Sequence, residues 1–302
     1  MVVDFTEEGD RMNIEKWLNN NAERLDGRRV VISGSTGGLG RELCGYIALL
    51  GGELILLDRN SERSLALAAE LKERFPHLAV THIKADMSDM GSVREAADKL
   101  STMEIDYLIL NAGAYSIPRC TCDTGYDNVF QINFISPYYL ARRLLPMIEN
   151  RGGKIVAVGS IAHNYSKIDE RDIDFSTRTK ASLVYGNAKR FLTYSLFALG
   201  SPAVSVTHPG ISFTGITNHY PKLIFALIKH PMKIIFPHPR VACLSVLKGM
   251  FIDCNSGEWI GPALFDIWGR PQRKPLRTAS TAEQTKIAEI AEEIYNKTNK
   301  NG

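Results

Sequence analysis

At 302 residues and 44% hydrophobic content, the chain is long enough for one large or two small domains and apolar enough for a buried core. Its net charge of +3 is small for this length, and no basic run is interleaved with aromatic residues, which argues against nucleic acid as a partner. Five cysteines, an odd number, and an acidic stretch of ten residues at the start without the apolar core of a secretory leader point to a reducing cytoplasm.

Residues 1–27 read as an N-terminal helical extension, with a helix over 13–24. From Arg29 apolar strand-like runs alternate with amphipathic stretches, which predicts a single-domain, Rossmann-like α/β fold over 28–272: a doubly wound parallel sheet with helices on both faces. Strands are expected at 30–33, 53–57, 82–84, 105–110, 154–158 and 204–207, and helices at 39–50 and 61–75. A further helix opens near Ser88, whose hydroxyl is placed as its N-cap. Cys120 and Cys122, the one close cysteine pair, read as loop or core thiols, because no second cluster completes a metal site. Over 221–237 many residues are apolar, but Lys229, His230, Pro231 and Lys233 interrupt them, short of the roughly 18–20 unbroken apolar residues that a membrane span needs. That stretch fits a membrane-surface contact or a cover for an apolar ligand. In the tail, 273–302, Ile287, Ile290, Ala291 and Ile294 fall at helical spacing and predict a helix packed by one face on the body.

The chemistry sits where strands end, the place where such sheets bind ligands. Gly34-Ser35-Thr36-Gly37-Gly38-Leu39-Gly40 follows a strand and opens a helix, so that backbone N–H groups and the positive helix end can meet a pyrophosphate. The next strand ends in Asp58 and Arg59. A carboxylate there accepts hydrogen bonds from both ribose hydroxyls of NAD and repels a 2'-phosphate, whereas Arg59 can pair with that phosphate or stack on adenine. The balance favours NAD, with NADP the alternative. Asp86 and Met87 follow the third strand, where a polar and an apolar side chain can bracket adenine; Asp86 serves equally well as a turn residue. Tyr185 and Lys189 are four residues apart, hence on one face of a helix, where an ammonium lowers the pKa of a phenol and makes it a usable acid/base.

Together these residues resemble the short-chain dehydrogenase/reductase family, over about residues 29–215. The resemblance makes Gly34, Gly38 and Gly40 the turn glycines, and places Asn111, Ala112 and Gly113 along the cofactor. Ser160, Tyr185, Lys189 and Asn133 become the catalytic set. Pro209-Gly210 becomes the turn beside the nicotinamide, with Thr214 a candidate for its carboxamide. Ser160 precedes Tyr185 by 25 residues, a wide gap that, with His163 and Ile173-Asp174-Phe175, looks like the branch containing retinol dehydrogenases, WW-domain oxidoreductase and protochlorophyllide reductases.

What the resemblance implies is hydride transfer between nicotinamide and a carbinol carbon, with Tyr185 exchanging the hydroxyl proton and Ser160 holding the substrate oxygen. Lys189 would hold the ribose, and Asn133 would position a water leading to Lys189. The branch acts mostly on lipophilic alcohols and carbonyls, so the apolar stretch at about 212–239 reads as a lid over such a substrate, with a core helix or subunit contact as the plainer reading. A homo-oligomer is compatible with the family. A non-catalytic NAD sensor or scaffold, an enone reductase and an epimerase are the competing functions; the intact Ser, Tyr and Lys speak against the first.

Overall fold

The computed structural model describes residues 13–210 and 237–300. Its inner strands are apolar at most positions, as strands covered on both faces must be. Alternation then sorts the side chains: Val31, Ile55 and Leu57 enter one core, while Val30, Ile32, Leu54 and Leu56 enter the other. These residues lie on β1 (Arg29–Ser33) and β2 (Glu53–Asp58), which pair in parallel with Val31 opposite Ile55. The remaining strands are β3 (Val80–Lys84), β4 (Tyr107–Leu110), β5 (Lys154–Val158), β6 (Val204–Thr207), β7 (Glu258–Leu264) and β8 (Trp268–Pro275). One sheet holds all eight in the order β3-β2-β1-β4-β5-β6-β7-β8.

Helices cover both faces. On one side lie α1 (Ile14–Asn21), α2 (Gly38–Leu49), α3 (Ser61–Arg74) and α8 (Pro239–Phe251), whose Trp17, Leu43, Leu67 and Leu247 share a core. The other side carries α4 (Met90–Ser101), the short α5 (Asn128–Phe130), α6 (Ser136–Asn150), α7 (Ala181–Ala198) and α9 (Thr281–Lys300). There α9 buries Ile287, Ile290, Ala291 and Ile294, the face that the spacing marked out. Among the described residues no helix is long and apolar enough to cross a membrane, and no cluster of three or more His, Cys, Asp or Glu is arranged to hold a metal ion.

Two expectations change. Asp89, not Ser88, caps α4 by accepting from Ser92 N–H at 3.1 Å; Ser88 instead donates its hydroxyl to Asp86 at 2.6 Å, because that carboxylate is the nearer and stronger acceptor. The sheet is not wholly parallel, since β8 returns antiparallel to β7. Thr214 and nearly all of the stretch at 212–239 lie outside the described residues.

At the amino end of the sheet, opposite the motifs, the carboxylate of Asp106 is fully enclosed. It accepts from Arg29 N–H at 2.9 Å and Arg28 Nη1 at 2.8 Å, with Arg151 Nη2 at 3.3 Å. Desolvation alone would raise its pKa, yet the Arg29 amide and the two guanidinium groups prevail and hold it below the usual carboxylate range. A lowered folded pKa means that Asp106 stabilises the protein above the unfolded aspartate value of about 3.9 and that this contribution is lost as pH falls through the folded value. Asp106→Ala should cost on the order of 2 kcal/mol near neutrality, as a buried amide loses its acceptor. Urea titrations at neutral and acidic pH check this: the difference between variant and wild type should shrink on acidification.

Candidate active site

Gly34 leaves β1 with φ +67°, and a Cβ there would sit 2.9 Å from the Ala112 backbone. Only glycine fits this approach. At Gly40 a Cβ would lie 2.2 Å from the Gly34 carbonyl oxygen, so the first turn of α2 can press on the loop only without a side chain. The cap residue of α2, Gly37, makes no side-chain hydrogen bond to the helix, which leaves first-turn N–H groups directed out of the turn. Such a cradle of free amides at a positive helix end suits a pyrophosphate. Asn111 secures it from the neighbouring strand by donating to the carbonyls of Ser33 at 3.0 Å and Gly34 at 2.9 Å, while Ser33 Oγ accepts from the Asn111 and Ala112 amides at 3.0 Å.

Asp58 is buried at the end of β2, and its carboxylate faces the same turn. Ser35 and Ser64 donate hydroxyls to Oδ2, the latter at 2.8 Å, and Thr36 Oγ1 donates to Oδ1 at 3.3 Å. Arg59 beside it is exposed. Asp86 is turned onto Ser88, and Met87 packs in the core with its carbonyl accepting from Ser136 Oγ at 2.7 Å. The arrangement gives Met87 a packing role and Asp86 a turn role.

Four elements bring the expected catalytic side chains together. Ser160 follows β5 and caps a 3-10 turn (Ile161–Tyr165) by accepting from Ala162 N–H at 3.2 Å. Tyr185, on α7, lies next to its hydroxyl. One turn further along α7, Lys189 is buried and donates to the Val158 carbonyl at 2.9 Å. Asn133 lies in a π-helical turn (Gln131–Ile135), where it donates to the Ala114 carbonyl at 2.8 Å and accepts from the Ala114 amide at 3.2 Å. A Cβ on Gly113 would lie 2.8 Å from Asn133 Oδ1 and 3.7 Å from Lys189 Nζ, so the two side chains meet over that glycine. Gly210, at φ +84°, packs beneath the β7–β8 turn, where a Cβ would be 3.0 Å from the Ile267 carbonyl.

The electrostatics reverse one expectation. Desolvation pushes Tyr185 up to about 12, with the Ser160 hydrogen bond opposing it, and pulls Lys189 down to about 8. Proximity to a cation was expected to lower the phenol's pKa. Instead Lys189 is buried with Nζ turned to a carbonyl, Tyr185 is half-buried, and desolvation disfavours each charged form.

The wide gap between Ser160 and Tyr185 is an ordered loop. Arg119 pairs with Asp127 and donates to the carbonyls of Phe175 at 3.0 Å and Arg178 at 2.9 Å. Asp174 accepts from Asp127 N–H at 2.7 Å, and Phe175 is buried against Val129 and Val184. A charge-lined concavity of about 430 Å³ on this loop borders Lys167, Asp169, Arg171 and Arg178 but none of the catalytic set. Tyr115, at the start of a loop (115–123) where the sequence places substrate contacts, stands with its ring edge-on to Tyr185 at 5.3 Å. Sequence reasoning missed the buried Arg190 next to Lys189, which carries no local signal.

A family model described as short chain dehydrogenase matches residues 28–169. Residues 28–169 belong to the short-chain dehydrogenase/reductase family. Among curated relatives it is similar to short chain dehydrogenase rstn4 of Aspergillus nomiae, 32% identical over 55% of this chain and 50% of that protein. Human retinol dehydrogenase 13 is 28% identical over 65% of this chain and 62% of that one. The chain thus spans about half to three fifths of the length of these two relatives. Its fold matches the crystal structure of an uncharacterised protein from Mycobacterium paratuberculosis with a TM-score of 0.71, at 23% identity over 92% of this chain and 96% of that one.

The close contact at Gly40 yields a direct test. Gly40→Ala should destabilise the protein by about 1–3 kcal/mol, because the turn must open to admit a methyl group. Thermal unfolding followed by circular dichroism should show the midpoint lowered by several degrees, with the folded spectrum retained at low temperature.

Proposed function

We propose that this protein is an oxidoreductase that interconverts a primary or secondary alcohol and its carbonyl, acts on a lipophilic substrate and uses a nicotinamide dinucleotide. The observation that carries this reading is the Tyr185 phenol next to the Ser160 hydroxyl, with Lys189 one helical turn away and its Nζ 5.8 Å from the Tyr185 ring centroid. The dinucleotide, held by the glycine turn with Asn111 to Gly113 behind it, would supply or accept the hydride. Ser160 holds the substrate oxygen, and Tyr185 exchanges a proton with it. A phenol at about 12 is protonated at neutral pH, which suits donation to an alkoxide formed as a carbonyl is reduced. Lys189, at about 8, is the next group able to hold that proton, and Asn133 across Gly113 directs the way to it. A sensor without turnover would have no need of this hydroxyl pair.

The similarity to a retinol dehydrogenase supports the lipophilic substrate class. So do Leu264 and Phe265, exposed on the β7–β8 turn above Gly210. We read the cofactor as NAD because the negative charge of Asp58 stands at the end of β2 facing the glycine turn, where it repels a 2'-phosphate; Ser35, Ser64 and Thr36 donate to its oxygens and hold it there.

Nicotinamide absorbance with a panel of steroids, retinoids and aliphatic alcohols tests the activity. Tyr185→Phe should lower turnover by about 10²- to 10⁴-fold with dinucleotide affinity little changed. Near wild-type turnover in that variant would remove Tyr185 from the chemistry, and an epimerase would give no net redox change. For the cofactor, titrations of NADH and NADPH in one buffer should show tighter NADH binding. Asp58→Asn, which keeps an acceptor for Ser35 and Ser64 but removes the charge, should move the preference toward NADPH; tighter NADPH binding by the wild type would show that Arg59 prevails.

A further inference from the structure

His163 belongs to none of the steps above, yet it is completely buried, three residues after Ser160. Its Nδ1 lies 2.6 Å from the Ser160 carbonyl oxygen and its Nε2 lies 2.9 Å from Thr278 Oγ1. At 2.6 Å from a carbonyl oxygen, Nδ1 must carry the proton, because two lone pairs cannot approach so closely. In a neutral ring Nε2 is then an acceptor, and the Thr278 hydroxyl donates to it. With its one proton so used, Thr278 Oγ1 accepts from Tyr194 Oη at 2.5 Å, and Tyr194 Oη in turn accepts from the Thr278 amide at 3.2 Å. The hydrogen bonds therefore run in one direction, from Tyr194 through Thr278 and His163 to the backbone of Ser160.

The outer end of this chain is anchored. Arg190, buried directly after Lys189, donates to the carbonyls of His163 at 3.0 Å and Thr278 at 2.8 Å, and to both oxygens of Glu283 at 2.7 Å. Glu283 opens α9, so residues 278–283 are tied to the helix that carries Tyr185 and Lys189. The Ser160 carbonyl accepts from the His163 ring and from the His163 amide at 3.1 Å. That fixes the peptide plane from which the Ser160 hydroxyl projects toward Tyr185.

We propose that His163 is a positioning residue for Ser160, and that Thr278, delivered by the segment between β8 and α9, holds the far side of the ring and so keeps Nδ1–H seated on the Ser160 carbonyl. The proposal rests on the role of Ser160 in the reaction described above. Its distinctive content is that a hydroxyl on the C-terminal segment controls the chemistry without touching substrate or cofactor.

Thr278 is exposed at the surface and turns its hydroxyl inward, so Thr278→Val removes the donor to His163 and Thr278→Ser restores it. Proton and nitrogen-15 spectra of the full chain report the His163 Nδ1–H bond directly, without turnover. In Thr278→Val the Nδ1–H resonance should shift upfield and exchange faster with solvent as the ring loosens, and kcat should fall about 10-fold through misplacement of Ser160. KM for the dinucleotide should stay as in wild type, and Thr278→Ser should recover both the resonance and kcat. An unchanged Nδ1–H resonance in Thr278→Val, or a changed one with unaltered kcat, would overturn the proposal. Tyr185→Phe run alongside separates the two levels: if it retains turnover, the reaction assignment fails, whereas a wild-type kcat for Thr278→Val beside an inactive Tyr185→Phe rejects the positioning role alone.

Discussion

Ser33 and Asn111 join the two strands between which the sheet changes direction, and the whole carboxyl end of the molecule depends on that junction. The chain runs outward from β1 to β2 and β3 and then returns to lay β4 on the other side of β1. Loops leaving β1 and β4 therefore diverge and open a crevice, the place where ligands enter sheets of this kind. Left unjoined, two diverging loops would have no common geometry. Ser33 Oγ and the Asn111 amide close the base of the crevice, so that the glycine turn and the Asn111–Gly113 segment act as one wall. From that wall Gly113 faces both Asn133 and Lys189, so the glycine turn and these two side chains share a single support.

Burial governs the charges inside this frame, and the protein treats its two enclosed cations differently. Arg190 has a carboxylate aligned with it through two parallel bonds, the geometry that best compensates a buried guanidinium. Lys189 meets a backbone carbonyl, and its pKa is drawn down accordingly. One cation is thereby committed to structure. The other has its charged form disfavoured by burial, and its Nζ lies 5.8 Å from the Tyr185 ring centroid.

Much of this was legible in the sequence for definite physical reasons. Continuous apolar runs ended by polar turns marked β2, β5 and β6, because strands covered on both faces admit little else. The glycine turn was legible because its conformational demands exclude other residues, and the Tyr185–Lys189 pair because helical spacing places both on one face. The antiparallel β8 was not, since Pro271, Arg273, Lys274 and Pro275 read as a loop and become a strand only by pairing with β7. The capping of α4 was misplaced by one residue because two acceptors, Asp86 and Asp89, compete within a single turn. Arg190 escaped notice since a charged residue on a helix ordinarily faces solvent, and nothing local reveals Glu283, 93 positions later. The partners of His163 were hidden in the same way.

The prolines and cations of β8 have a further consequence. A sheet whose last strand offers a row of free amide and carbonyl groups invites a strand from another molecule to add to it. β8 is that last strand, and it carries proline at two positions, where there is no amide hydrogen to offer, with Arg270, Arg273 and Lys274 between and beside them. An incoming strand would meet missing donors and would have to crowd against positive charge. The residues that made β8 hard to recognise thus also discourage sheet extension at this edge, and they guard the protein against edge-to-edge aggregation there.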